Sequence, residues 1–95
     1  MLAAVKLAMR PAIKTNAYDL ELYDLIDAAK ADLELMRIRV DEDDPLCRQA
    51  IKTYCRLHFG SPEDPERLQA AYDSQKAQLM KSSKYVSWGD DHADA

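Results

Sequence analysis

Cys55 and His58 stand three positions apart, a spacing that puts a thiol and an imidazole on one face of a helix. Both groups ligate zinc. A structural zinc site needs four ligands, however, and the sequence holds two cysteines, two histidines and no CxxC pair to supply the rest. As a nucleophile Cys55 needs its pKa lowered, and nothing obvious in the sequence does so. Cys47 lies eight positions earlier on the same helix, about 12 Å along its axis. Disulfide partners need Cα atoms within about 7 Å, so two buried free thiols are expected. The second histidine, His92, lies in the acidic C-terminal stretch. Four consecutive acids, Asp41-Glu42-Asp43-Asp44, suggest a cation site. They lack the alternating ligands, central glycine and closing glutamate of a calcium loop. Followed by Pro45, they read instead as a helix start: Asp44 caps, Pro45 takes the first helical position, and the other acids favour the positive end of the helix dipole. No phosphate loop, nucleophile elbow or dinucleotide fingerprint is present. No catalytic, cofactor or metal site is therefore expected, and the protein is not expected to be an enzyme.

The elements around these residues are helical. Ninety-five residues make one domain, 47% hydrophobic and 32% charged, with only two glycines and four prolines. A formal charge of −4 lacks the basic surplus of a free-standing DNA binder. No apolar run is long enough to span a bilayer, and MLAAVKLAMRPAIK is too charged for a secretory signal, so residence in a cytoplasm is expected.

The longest periodic stretch is Ala17–Met36. Tyr18, Leu22, Leu25, Ile26, Ala29, Leu33 and Met36 fall on one helical stripe, with Asn16 placed to cap and Asp19 three residues on. Leu20, Tyr23, Ala31 and Leu35 gather on the opposite side among Asp24, Asp27 and Glu34. Such a second apolar face suits either a subunit contact or a contact with the first helix, Leu2 to Arg10, whose Leu2, Val5 and Met9 share a side and which Pro11 ends. Met36 to Val40 alternates apolar and basic residues, as a short extended segment or as a frayed helix end with arginines at the negative dipole.

A third helix is expected from Pro45 to about Phe59. Leu46, Ala50, Tyr54 and Leu57 are its inner face, with Cys47, Ile51 and His58 beside them and Gly60 as C-terminal cap. Arg48, Lys52 and Arg56 make a basic ridge on its outer side. Asp64 and Pro65 start a fourth helix that runs to about Ser82, with Leu68, Ala71, Tyr72, Gln75 and Leu79 inward and an Asp73–Lys76 surface pair. The fold class is thus all-α, a small bundle of about four helices over residues 1–82 with an extended tail over 83–95.

Val5-Lys6-x-x-Met9, then Asp19-x-x-Leu22-x-x-Leu25-Ile26-x-Ala28-Ala29, Ala50-Ile51-x-x-Tyr54 and Leu68-x-x-x-Tyr72 together resemble the small head–tail connector proteins of tailed bacteriophages, also called head-completion or adaptor proteins. The resemblance covers roughly residues 2–82. It implies a structural virion protein at the neck, put together in the host cytoplasm. Identical subunits would form a closed ring, following the twelvefold portal. The ring would extend the DNA channel and present a surface to the tail or a stopper protein. DNA would pass through without sequence-specific binding.

A closed ring needs a heterologous interface, in which two different patches meet. The candidates are Leu20, Tyr23, Ala31 and Leu35 on one side and the ridge Arg48, Lys52 and Arg56 on the other. In the tail, Tyr85, Val86 and Trp88 are candidate anchors on a neighbouring subunit or the portal, because large aromatics dominate small contacts. The opposing expectation has Trp88 folding back over the fourth helix. Two other function classes compete. A small DNA-associated regulator or terminase-like recognition subunit is disfavoured by the acidic balance and by the long, proline-rich turn at residues 60–65. A toxin-neutralising partner fits the acidity but has no motif in its favour.

Overall fold

The computed structural model describes residues 1–81 together with Tyr85 and Val86. Four helices follow one another: α1 (Leu2–Ala8), α2 (Asp19–Leu35), α3 (Pro45–His58) and α4 (Pro65–Met80). The fold is all-α, as the periodicity predicts.

The helix starts divide into two kinds. At α3 the Asp44 carboxylate accepts hydrogen bonds from the backbone N–H groups of Leu46 (3.0 Å) and Cys47 (3.1 Å), with Pro45 in the first turn. At α4 Asp64 accepts from the Arg67 N–H at 3.3 Å, again followed by proline. Both are the expected caps. At α2 the expected cap fails. The helix begins at Asp19 after Tyr18, with no side-chain cap, and Asn16 contributes only its carbonyl to the Asp19 N–H. Lys6 of α1 explains the difference. Its ammonium binds the Asp19 carboxylate at 2.8 Å and the Asn16 side-chain oxygen at 3.4 Å, so both groups face the neighbouring helix. The start of α2 is anchored by a tertiary contact.

The end of α2 settles the reading of residues 36–40. The Arg37 N–H bonds the Glu34 carbonyl, the Ile38 N–H bonds the Leu33 carbonyl, and Arg37 takes φ 61°. This is a Schellman closure with arginine in the left-handed position usually given to glycine. Beyond it the chain is extended, and Ile38 forms an antiparallel bridge with Val86. Gly60 also has a positive φ, 62°, but the expected glycine cap does not form: Phe59 before it is already extended, and α3 ends on the Phe59 N–H bonded to the Cys55 carbonyl.

The core gathers around α3, which packs against all three other helices. The longest periodic stretch belongs to α2, but the central position in the packing falls to α3. The buried face of α3 is also rotated from the one expected. Cys47, Ala50, Ile51 and Cys55 are fully buried, and Tyr54, Leu46 and Leu57 are half-buried. A helix covered from three sides needs a broad apolar arc, and here small thiol and alanine side chains allow close approach. Facing it are Leu22, Ile26, Ala29 and Leu33 from α2, Val5 and Met9 from the first helical segment, and Tyr72 and Leu79 from α4. Leu68 is only half-buried, near the groove described below.

A polar clasp ties α4 to α2. The Tyr72 hydroxyl donates to Asp32 at 2.5 Å, and Lys76 approaches the same oxygen at 3.5 Å while sitting 4.5 Å from the Tyr72 ring centre. Burial foremost, and then the Asp32 carboxylate, pushes the Tyr72 hydroxyl pKa up, so the hydroxyl stays a donor. The Asp73–Lys76 pair is present at 3.9 Å.

Candidate subunit interface

Of the residues that suggested chemistry, the two thiols are part of the packed core, and His92 lies outside the described residues. Cys47 and Cys55 are both fully buried and free. Burial pushes the Cys55 thiol up to about 12, and burial likewise raises Cys47, so neither is poised as a thiolate. Cys47 donates weakly to the Arg39 carbonyl at 3.6 Å. The His58 ring leans on Tyr54, their centroids 4.2 Å apart. In the acidic run, Asp44 caps α3 and Glu42 pairs with Lys30 of α2. That hydrogen bond to Lys30 is the main cause lowering the Glu42 pKa. Among the described residues no cluster of three or more histidines, cysteines and acids could hold a metal ion.

What stands out is surface. Leu20 and Leu35 are more than four-fifths exposed, Tyr23 is half exposed, and Ala31 is exposed between them. Leu20, Ala31 and Leu35 therefore stand open to solvent, while Tyr23, half covered, lines a shallow pocket together with Met1, Leu2 and Ala3 at the start of α1. Asp24, Asp27 and Glu34 share this face, exposed and with no ion-pair partner among the described residues. Single exposed leucines are ordinary, but a row of large apolar side chains on one helix is the mark of a contact surface.

The expected basic ridge divides in two. Arg48 turns back to donate to the Glu42 carbonyl at 3.3 Å. Lys52 is half-buried on α3. Arg56 lies at the other end of the helix, where it lines a groove of about 1160 Å³. The groove runs between the α1–α2 connector, the start of α2 and the α3–α4 turn. Its apolar surface includes Tyr18 and Phe59, which meet edge to face at 5.4 Å, and Leu68. Arg10, Lys14, Arg56 and Arg67 bring positive charge, against Glu21, Glu63 and Asp64, whose carboxylate serves α4. Sequence reading missed this groove because it is assembled from two connectors far apart in the chain. The signal was present in Pro11 and in the Gly60–Pro65 turn. Antiparallel neighbours joined by short links must bring such turns to the same end.

The tail expectation needs correction. Val86 is 2% exposed, bridged to Ile38, and the Tyr85 carbonyl accepts from the Arg39 N–H while its hydroxyl donates to Asp44 at 3.0 Å. These two anchors hold the chain's own domain, because an extended segment past α2 offers them backbone and Ile38 offers apolar surface. The domain packing therefore includes Tyr85 and Val86. Trp88 lies outside the described residues, so its expected place is neither seen nor replaced.

This arrangement, a small helical domain with an exposed apolar face and a groove, is matched by one family model. The model described as "Phage connector protein" covers residues 1–86. The chain belongs to the phage connector protein family. That span takes in every helix among the described residues and the Ile38–Val86 latch, so the whole described fold lies within the connector match. No curated protein and no solved structure matches this connector. Among the described residues no helix is long and apolar enough to cross a membrane.

Proposed function

We propose that this connector assembles into a closed ring at the virion neck, between the capsid portal and the tail. The ring lengthens the DNA channel and offers the surface to which a tail or stopper protein attaches. Its partners are then further copies of itself, the portal, and the tail-side protein, with DNA passing through unread. The observation that carries the reading is the exposed apolar row Leu20–Tyr23–Leu35 on a connector-family domain, since a monomer has no use for it. The protein works in this reading by contact and not by catalysis, which agrees with both thiols being buried and raised in pKa. Electron microscopy of the purified protein, and of virion necks, tests it directly. Rings of uniform size located below the portal are expected. A monomer at every concentration, with no density at the neck, would refute it.

A further inference from the structure

We infer that the groove beside Arg56 receives the exposed face of α2 from a second copy of this chain. The inference rests on the ring reading and names the two surfaces that close it. The groove and the face differ in shape, and unpaired cations of the one can meet unpaired acids of the other. One is a concavity between turns, floored by Tyr18, Phe59 and Leu68 and edged by Arg10, Lys14, Arg56 and Arg67 together with Glu21, Glu63 and Asp64, the last of which caps α4. None of Lys14, Arg56 and Arg67 has an ion-pair partner among the described residues. The other is the first half of α2, carrying Leu20 and Tyr23 as apolar knobs, with Asp24 and Asp27 beside them and likewise without ion-pair partners among the described residues.

An amphipathic helix laid into an apolar groove is a common recognition mode, with anchors at spacings of three and four. Leu20, Tyr23, Asp24 and Asp27 have that spacing. The helix supplies what the groove lacks, since its two aspartates can pair with the unpaired Arg56 and Arg67, and its two large side chains meet an apolar floor. The contact is also of the right kind. Groove and face are different patches of one subunit, so joining them repeats head to tail and generates a ring when the rotation closes.

Charge reversal tests the pairing. One variant carries Asp24→Lys and Asp27→Lys, the other Arg56→Glu and Arg67→Glu. All four residues lie at the surface or groove edge, and circular dichroism verifies that each variant keeps its helices. Assembly is read by light scattering and by electron microscopy. Each variant alone should assemble more than about tenfold more weakly than wild type, because like charges then face each other. An equimolar mixture of the two should assemble again, because every junction then joins opposite charges. That rescue cannot come from a folding defect.

Wild-type rings that neither variant weakens would overturn the pairing and leave the ring reading standing. Weakening by the groove variant alone, without rescue in the mixture, would also overturn it. The groove would then hold another occupant, such as the segment with Asp90, Asp91 and Asp94. Wild type that never assembles would overturn the ring reading itself.

Discussion

Asp44 divides its carboxylate between two distant parts of the chain. One oxygen caps the first turn of α3 and the other accepts the Tyr85 hydroxyl. Asp64 makes a single, longer cap bond at the start of α4. The two positions look alike in sequence, each an acid before proline, but they should differ in energy. Asp44→Ala is expected to cost about 2–3 kcal/mol and Asp64→Ala about 0.5–1 kcal/mol, measured by urea titration. Equal effects would mean that the Tyr85 bond contributes nothing. Cys55 gives a pH prediction. Its thiol ionises near 9.0 when unfolded and is raised to about 12 by burial in the fold. The folded state therefore prefers the protonated form. This contribution is fully present below pH 9 and is lost as pH rises towards 12. Under reducing conditions the melting temperature should fall above pH 9, and Cys55→Ala should fall less steeply over that range. Parallel curves for the two proteins would assign the alkaline loss to other groups, Tyr72 first among them.

At the level of the helices, α3 is the element whose loss the fold tolerates least. Ile51→Ala, at a fully buried position, should cost about 2–5 kcal/mol in denaturant, whereas Leu35→Ala on the exposed side of α2 should change stability by less than about 0.5 kcal/mol. A large loss at Leu35 would place that residue in a contact within the monomer. Helix limits and the buried stripe of α2 were legible in the sequence because they depend on local signals: period, acid–proline starts, and proline stops. The rank of α3 was not. Its central position comes from how many neighbours cover it, and cysteine, alanine and threonine carry little hydrophobic signal of their own. The missing cap at Asn16 has the same origin, because only the fold reveals that Lys6 competes for it. Of the candidate interface, the α2 face was readable by subtraction from the core stripe. The groove was not, because its walls are contributed by turns whose juxtaposition exists only after the helices have packed.

The molecule as a whole is a set of helical hairpins closed by a latch at one end. Removing residues 85–95 should destabilise the isolated protein by about 2 kcal/mol or more, since it exposes Ile38 and removes the burial of Val86. Unchanged stability in the truncated protein would show that the segment serves partners alone. The latch also has a consequence in time. Neighbouring helices meet across short links, but Tyr85 and Asp44 are 41 positions apart, so the latch closes a long loop for a small contact. Loop closure of that kind is entropically unfavourable until the intervening helices have docked. The bundle therefore forms first and the latch last, and on the way out the latch opens before the bundle does. The Arg39 amide, which donates to the Tyr85 carbonyl, should then exchange its hydrogen for solvent deuterium much faster than the amides inside α3. A subunit newly released from the ribosome would carry its helices already packed, with residues 36–40 and 85–86 still apart.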